Sequence, residues 1–168
     1  SELNLDPVTF NTRCGSVSRA RPGPGGQYLP PEEIGRRLRF PDGVTVVAPA
    51  TKVGLRGLTI NGQGGNNGIR VQAGEVHIEA SVISNMGQAG ILVDGGSTVR
   101  ISGTVSRSNV DGLRVVPGAG SVSVLVRDSE FSNHSGAGIV VSPVGAGINA
   151  LVTVERSSVT KNGVGITT

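Results

Sequence analysis

The sequence predicts an all-β fold in which short parallel strands stack into a solenoid of about five coils. The first observation is a repeat: a glycine followed by an apolar–x–apolar triplet recurs along residues 43–168 at steps of 25, 22, 22, 26 and 27 residues, with Thr closing the last copy. Repeats of this length are typical of solenoids. The second is composition, because 27 glycines, three Phe, one Tyr and no Trp leave Val, Ile and Leu to fill the core. The repeat begins at Gly43, Gly68, Gly90, Gly112, Gly138 and Gly165.

The first 42 residues differ from the repeats, since they hold six of the nine prolines. Residues 1–29 are predicted to be an irregular arm, because the Pro/Gly run at 21–26 cannot continue a helix or a central strand. Residues 30–40 form either a short helix that caps the open end of the solenoid or a plain linker. We therefore separate a Pro/Gly-rich arm with a possible N-terminal cap at 1–42 from the repeats at 43–168.

Each repeat carries two further strand-like pieces after the glycine triplet, which is the third observation. One set lies at residues 53–55, 76–78, 99–101, 124–126 and 152–154, and the other at 58–60, 82–84, 104–106, 130–132 and 158–160. Alternation within a piece points its first and third residues inward. Three short strands per turn, separated by corners rich in Gly, Asn and Ser, describe a parallel β-helix.

Stacking predicts which side chains meet, because each coil rises by the inter-strand spacing of about 4.8 Å. One apolar column is predicted to contain Ile69, Ile91, Leu113, Ile139 and Ile166, and a second Ile60, Ile83, Val105, Phe131 and Val159. A hydroxyl ladder is predicted at the next corner, with Ser84, Ser106, Ser132 and Thr160. An outward column is predicted to hold Arg56, Glu79, Ser102, Arg127 and Glu155.

The stretch LRGLTINGQG at 55–64, followed by NGIRV at 67–71, resembles the opening coil of bacterial right-handed parallel β-helix proteins, the pectate-lyase-like superfamily. Later coils repeat the pattern V-x-I, VISN and AGI-x-V, so the resemblance covers residues 43–168. It implies a right-handed helix and an exported bacterial protein that is secreted, periplasmic or bound to the cell envelope. The superfamily includes lyases, hydrolases, epimerases, adhesins and tailspikes, so the resemblance does not carry an activity.

If the chain is an enzyme, the resemblance implies one of two sites. One has outward carboxylates that hold Ca²⁺, with Arg or Lys as the base, and the other has clustered aspartates. Within the repeats, the nearest carboxylate pair in sequence is Asp128 and Glu130, and Arg107 on a neighbouring coil completes the catalytic candidates. The same residues can be a solvated charge ladder, which is the interpretation that we favour. The alternative function is a lyase, epimerase or hydrolase that acts on an acidic polysaccharide with Ca²⁺.

A second candidate site is Glu75, His77 and Glu79, whose alternation places three side chains on one strand face. This spacing suits a metal ion, but an exposed trio of this kind is more often ordinary surface, so no metal or other cofactor is expected outside the enzyme alternative. Asp94, before two glycines, is interpreted as a turn residue. Cys14 is the one cysteine, which excludes an intrachain disulfide and a cysteine metal cluster.

Charge and composition narrow the function classes. The net charge of +3 comes from 15 basic and 12 acidic residues without a dense basic run, which argues against nucleic-acid binding. No stretch reaches the roughly 18 apolar residues of a transmembrane helix. Sugar-binding clefts usually present Trp or Tyr, whereas the repeats contain one aromatic residue, Phe131, which is predicted to point inward.

The last glycine triplet places the end of the sequence inside a predicted strand. An open solenoid end exposes unpaired backbone and an apolar cross-section, which proteins cover or pair. Either the polypeptide continues, or a partner or second copy lies on this end. The sequence therefore predicts a non-catalytic structural or interaction domain, which contacts other subunits through the arm at 1–42 and through its open end.

Overall fold

The computed structural model describes residues 42–63 and 65–168, together with the backbone of two short segments between residues 2 and 11. The described residues form sixteen β-strands and no helix. The strands are β1 (Glu2–Leu5), β2 (Thr9–Asn11), β3 (Asp42–Arg56), β4 (Thr59–Asn61), β5 (Asn67–Glu79), β6 (Val82–Ser84), β7 (Ala89–Val93), β8 (Ser97–Ser102), β9 (Val105–Arg107), β10 (Asp111–Val115), β11 (Val122–Arg127), β12 (Glu130–Ser132), β13 (Ala137–Val141), β14 (Ala150–Glu155), β15 (Ser158–Thr160) and β16 (Val164–Thr167).

Parallel pairing between successive coils builds the molecule. The first sheet has ten strands, with the order β14-β11-β8-β5-β7-β10-β13-β16 and with β3 and β1 attached through β5. The second sheet has six strands in the order β15-β12-β9-β6-β4-β2. One turn of the solenoid runs, for example, from β7 through β8 and β9 to β10. The predicted all-β parallel solenoid of about five coils is therefore confirmed.

The corner between the glycine triplet and the second strand piece varies most among the coils. In the first two coils the two pieces merge into the long strands β3 and β5, with register shifts near Val47. In later coils the connection has three residues (94–96), six residues (116–121) and eight residues (142–149). The flanking strands keep their register throughout, since Leu113 pairs with Ile139 and Val124 with Val152.

The predicted apolar column beneath the glycine triplets is confirmed at each step. Ile69 pairs with Ile91, Ile91 with Leu113, Leu113 with Ile139, and Ile139 with Ile166. The first four of these side chains are fully buried. Burying a side chain of this size stabilises the fold by about 1.5–3 kcal/mol, so the stacked column is a main source of stability. The outward column that begins at Arg56 and ends at Glu155 also has the predicted register.

The second predicted column is wrong in the third coil. Ile83 and Phe131 both pair with Ser106, whereas Val105 points outward and is half-buried. The residue that faces inward is the second one after the corner residue Thr104, as Phe131 is the second after Ser129, whereas the repeat pattern predicted the first. Ser106 is tolerated in the core because its hydroxyl donates to the Gly112 carbonyl at 3.2 Å and accepts a bond from Asn109.

The predicted hydroxyl ladder is also misplaced, because Arg107 occupies the position between Ser84 and Ser132. A hydroxyl ladder exists one corner earlier, between the second and third strand pieces. There Ser129 accepts the backbone N–H of Thr104 at 3.2 Å and donates to the Arg127 carbonyl at 2.8 Å. The ladder consists of Ser81, Thr104, Ser129 and Ser157.

Part of the predicted irregular arm is instead strand. β1 pairs with the second half of β3, with Leu3 opposite Val53, and β2 pairs with β4, with Phe10 opposite Ile60. These two strands add a layer over two faces of the first coil. The predicted capping helix at 30–40 and Cys14 lie outside the described residues. No helix in the described part of the chain has the length and apolar character that a membrane span requires.

Candidate functional site

The final edge, which we define as strands β14, β15 and β16, ends the described solenoid and is hydrogen-bonded on one side only. These strands pair with β11, β12 and β13, and no described strand lies beyond them. The inward residues of this edge are consequently uncovered. Ile166 is 54% exposed and Val154 is 37% exposed, whereas Ile139, one coil earlier in the same column as Ile166, is fully buried.

The triplet glycines show how the interior coils pack. A Cβ atom added at Gly68 would lie 2.6 Å from the Gly90 carbonyl oxygen, and one at Gly90 would lie 2.8 Å from that of Gly112. The other members of this column that meet the next glycine's carbonyl in the same way are Gly43, Gly112 and Gly138. A Cβ atom at Gly165 would meet nothing within 4 Å. In this column a glycine is required only where another strand packs against it. Gly165 is therefore a glycine at a position where no described strand packs.

The outer side of the final edge is apolar as well. Leu151 on β14 is 62% exposed and Val164 on β16 is about half exposed. In the preceding coil the residue in register with Leu151 is Ser123. Unpaired backbone, uncovered inward side chains and exposed apolar residues thus coincide on one end of the molecule, and this combination is typical of a protein interaction site.

The catalytic candidates do not form a free carboxylate pair. Asp128 turns the corner after β11, and Arg156 donates to both of its carboxylate oxygens, from Nε at 2.8 Å and from Nη2 at 2.9 Å. These bonds hold the pKa of Asp128 below its ordinary value. Glu130 accepts a bond from the Ser132 hydroxyl at 2.6 Å. Asp128 therefore stays ionised and paired near neutral pH, which does not suit a general acid.

The surroundings of this pair differ from the prediction in one residue. Asp128, Glu130 and Arg156 line a shallow depression of about 680 Å³ beside the hydroxyl ladder, and Arg107 does not line it. Arg107 is in register with Ser132 rather than with Glu130. The cation that lies beside the carboxylates is thus Arg156. It comes directly after Glu155, the last residue of the outward column, and belongs to the coil that follows Asp128.

The candidate metal trio is divided between two ion pairs. His77 Nε2 lies 3.1 Å from Glu75 Oε1, and the Lys52 ammonium lies 3.3 Å from the same oxygen. The hydrogen bond with His77, followed by that with Lys52, lowers the pKa of Glu75. Glu79 instead accepts a bond from Arg56 Nε at 2.8 Å. Within the described ranges no three His, Cys, Asp or Glu side chains are arranged to hold a metal ion.

Arg70 forms an ion-pair cluster that the sequence did not predict. Its Nε donates to Asp94 Oδ2 at 2.9 Å, and its Nη1 lies 3.6 Å from Asp42 Oδ2. The hydrogen bonds to Asp94 raise the pKa of Arg70. Asp94 therefore does more than turn the chain after β7. The cluster joins the first three coils across the outer face and leaves its carboxylates paired with a cation.

Another depression, of about 970 Å³, follows the corner before β8 and β11. Its lining is mostly small or hydroxyl-bearing, with Lys52 and Glu75 as the charged residues. These two form the ion pair described above. Neither of these two depressions brings together an unpaired acid, a base and a nucleophile, so we take the final edge as the strongest candidate site.

Comparison with protein families gives one match: the model for a right-handed β-helix region covers residues 43–168, which is 126 of the 168 residues. Comparisons with curated proteins and with solved structures found no match.

Proposed function

Because the chain belongs, through residues 43–168, to the right-handed β-helix family, we propose that it is a non-catalytic structural and interaction domain. In this proposal the final edge binds an extended segment of another polypeptide, which adds a further parallel layer to the solenoid. Strand addition of this kind obtains affinity from backbone hydrogen bonds and specificity from alternate side chains. The domain itself is a rigid rod that positions this edge.

Gly165 is the observation that carries the proposal. Each earlier glycine of its column is packed by the carbonyl oxygen of the next coil, and Gly165 alone in that column has open space at the Cβ position. A strand bound to β16 would place its own backbone there. The partner segment is therefore expected to be extended, to carry an apolar residue over Ile166, and to tolerate close backbone approach.

The proposal also covers location and a second contact. We place the protein outside the cytoplasm, as a secreted, periplasmic or envelope protein, because the resemblance of its coils is to exported bacterial proteins. Within the arm at 1–42, β1 and β2 belong to the solenoid. Residues 12–41 are the part of the arm that we propose as a docking segment.

Site-specific photo-crosslinking in the producing cells tests the final edge. A photoreactive residue placed at Leu151 or Val164 should form a crosslink to a defined second polypeptide, identified by mass spectrometry. The matched control is the same residue at Arg114, which is also exposed but lies on a strand that is paired on both sides. Equal crosslinking at all three positions, or none at the edge, would contradict the proposal.

The enzyme alternative is kept because Asp128 and Glu130 line one depression with Arg156. It predicts cleavage of a uronate polymer that depends on Ca²⁺ and is lost in Asp128→Ala, Glu130→Ala and Arg107→Ala. The assay uses the purified chain with and without Ca²⁺. Cleavage that these substitutions abolish would overturn the non-catalytic proposal, whereas an inactive parent protein would support it.

A further inference from the structure

A buried polar ladder occupies the corner that precedes the glycine triplet. The backbone N–H of Met86 donates to Asn109 Oδ1 at 2.8 Å, that of Asn109 donates to His134 Nδ1 at 3.2 Å, and that of His134 donates to Asn162 Oδ1 at 3.0 Å. Each coil thus gives its corner N–H to the side chain of the next coil. An asparagine fills this position on either side of His134, so the imidazole replaces an amide in an otherwise regular arrangement.

The His134 ring is enclosed. Its residue is 2% exposed, and a Cβ atom at Gly112 would lie 2.6 Å from Nε2. Because Nδ1 accepts the Asn109 N–H, the ring proton is on Nε2 in the neutral form. Nε2 itself has no hydrogen-bond partner among the described residues. The site therefore satisfies a neutral imidazole at Nδ1, whereas a proton on Nδ1 would meet the Asn109 N–H group and no acceptor.

The backbone of the same residue holds the next corner, between β15 and β16. His134 N–H donates to Asn162, and the Gly163 N–H donates to the His134 carbonyl at 3.0 Å. Asn162 Nδ2 in turn donates to the Phe131 carbonyl at 3.1 Å. Any displacement of the ring from its pocket moves the backbone that makes these contacts, and the corner that leads into β16 loses its attachment.

We propose that His134 is an acid-sensitive lock, which holds the corner between β15 and β16 closed only while its imidazole is neutral. Protonation would place an N–H group at Nδ1 directly against the Asn109 N–H, so one of the two must move. Because the His134 ring is enclosed, the movement that we expect is that the ring leaves its pocket.

The electrostatic surroundings act in the required direction. The charged residues on the elements around the ring are Arg107 on β9, Asp111 and Arg114 on β10, Glu130 on β12 and Lys161 after β15. Burial lowers the pKa of His134 below its ordinary value and outweighs the opposite effects of hydrogen bonds with the Asn109 and Ser106 backbones and of the Asp111 carboxylate. Asp111 is itself engaged, since Arg114 lies 3.5 Å from its Oδ2 and the Ala137 N–H donates to its Oδ1.

The direction of the pH effect follows from the difference between the pKa of His134 in the open form and its pKa in the closed form. In the open form the imidazole is solvated and binds a proton near its ordinary pKa of about 6.5, whereas the closed form binds it only at lower pH. The lock is therefore fully closed above this range. As pH falls below about 6.5, the opening equilibrium constant rises by up to about tenfold per pH unit, until the closed form also binds the proton.

Hydrogen exchange of the whole chain at pH 7.5 and pH 5.0, corrected for the pH dependence of chemical exchange, tests the lock. Peptides that cover residues 158–168 should lose protection at pH 5.0, by up to about tenfold for each pH unit below 6.5, and peptides that cover β5 should not. His134→Asn, which restores the residue type of the neighbouring coils, should abolish this loss. His77→Asn, at the other histidine of the chain, should leave the loss intact.

An acid response that persists in folded His134→Asn would overturn the proposal, as would an absent response in the parent chain. If His134→Asn does not fold, NMR titration of the parent decides, because a His134 pKa at or above 6.5 is incompatible with the lock. The test measures the attachment of the chain's own corner and needs no partner, so its outcome is separate from that of the crosslinking experiment.

Discussion

Inward apolar residues at the two ends of the solenoid belong to the same column, but they differ in how far they are buried. Leu55 in the first coil and Val154 at the final edge belong to one column, yet Leu55 is 1% exposed and Val154 is 37% exposed. The difference is that β1 covers the first coil over Leu55, and nothing in the described structure covers β14. Inward orientation alone does not bury a side chain in a solenoid, because each coil depends on a neighbour on both sides.

The largest expected effect that separates interior from edge is in the apolar column. Ile139→Ala should cost about 2–5 kcal/mol in the free energy of unfolding, since it leaves a cavity between two packed coils. Ile166→Ala, one coil further along, should cost less than about 1 kcal/mol, because the side chain is already half exposed. Urea unfolding of both variants measures the pair. Equal losses would mean that the final edge is covered in the isolated chain.

The glycine column gives the next largest contrast. Gly90→Ala should cost about 1–3 kcal/mol, because its Cβ atom would be forced against the Gly112 carbonyl and Asn109 Nδ2. Gly165→Ala should be within about 0.5 kcal/mol of the parent. The same urea titrations apply. If the proposed strand binds to β16, Gly165→Ala should also weaken binding of the crosslinked partner while leaving the fold unchanged, and a variant that binds normally would count against that geometry.

Substitutions in the hydroxyl ladder test the same difference between interior and final edge with polar residues. Ser129→Ala leaves the buried Thr104 N–H without its acceptor and should cost about 1–3 kcal/mol. Ser157→Ala removes the acceptor of the Ser129 N–H at the final edge, where water can replace it, and should cost less. Thermal unfolding of the two variants compares them. A larger loss for Ser157→Ala would contradict the view that the final edge is solvated.

The smallest effect concerns the ion pair between Asp128 and Arg156, which joins the fourth coil to the final edge at the surface. Its contribution to stability should be slight, because both side chains are exposed. The pKa of Asp128 is lowered in the folded protein, so this contribution is present above the ordinary pKa of an aspartate and is lost as pH falls through the lowered value. Asp128→Asn should therefore be slightly less stable than the parent at pH 7 and equal to it at strongly acidic pH. A difference that is unchanged by acid would exclude the ion pair as its source.

The sequence was sufficient for the fold because a period-two pattern and a constant coil geometry fix which residues stack. The columns beginning at Ile69 and Arg56 followed from counting alone. The prediction was wrong in the third coil, because Val105 and Ser106 are both compatible with a strand and hydrophobicity favoured Val105, which points outward. β1 and β2 were missed because segments of three or four residues next to a Pro/Gly-rich run carry too little pattern.

The corners could not be predicted in the same way. Ser129 and His134 act through hydrogen bonds to backbone groups 25 residues away in sequence, and these depend on the direction of individual N–H groups. The spacing of Asn109, His134 and Asn162 was a usable signal, because it repeats the coil length. The pairing of Arg156 with Asp128 depends on which residue turns each corner, which the repeat alone does not specify.

The connection between β13 and β14 is more than twice as long as that between β7 and β8, yet the register on either side is the same. Closing a loop of doubled length costs only about 0.6 kcal/mol. This corner is therefore a natural insertion point, where a foreign peptide epitope grafted between residues 142 and 149 would be displayed on a fixed framework without disturbing the coils that carry it.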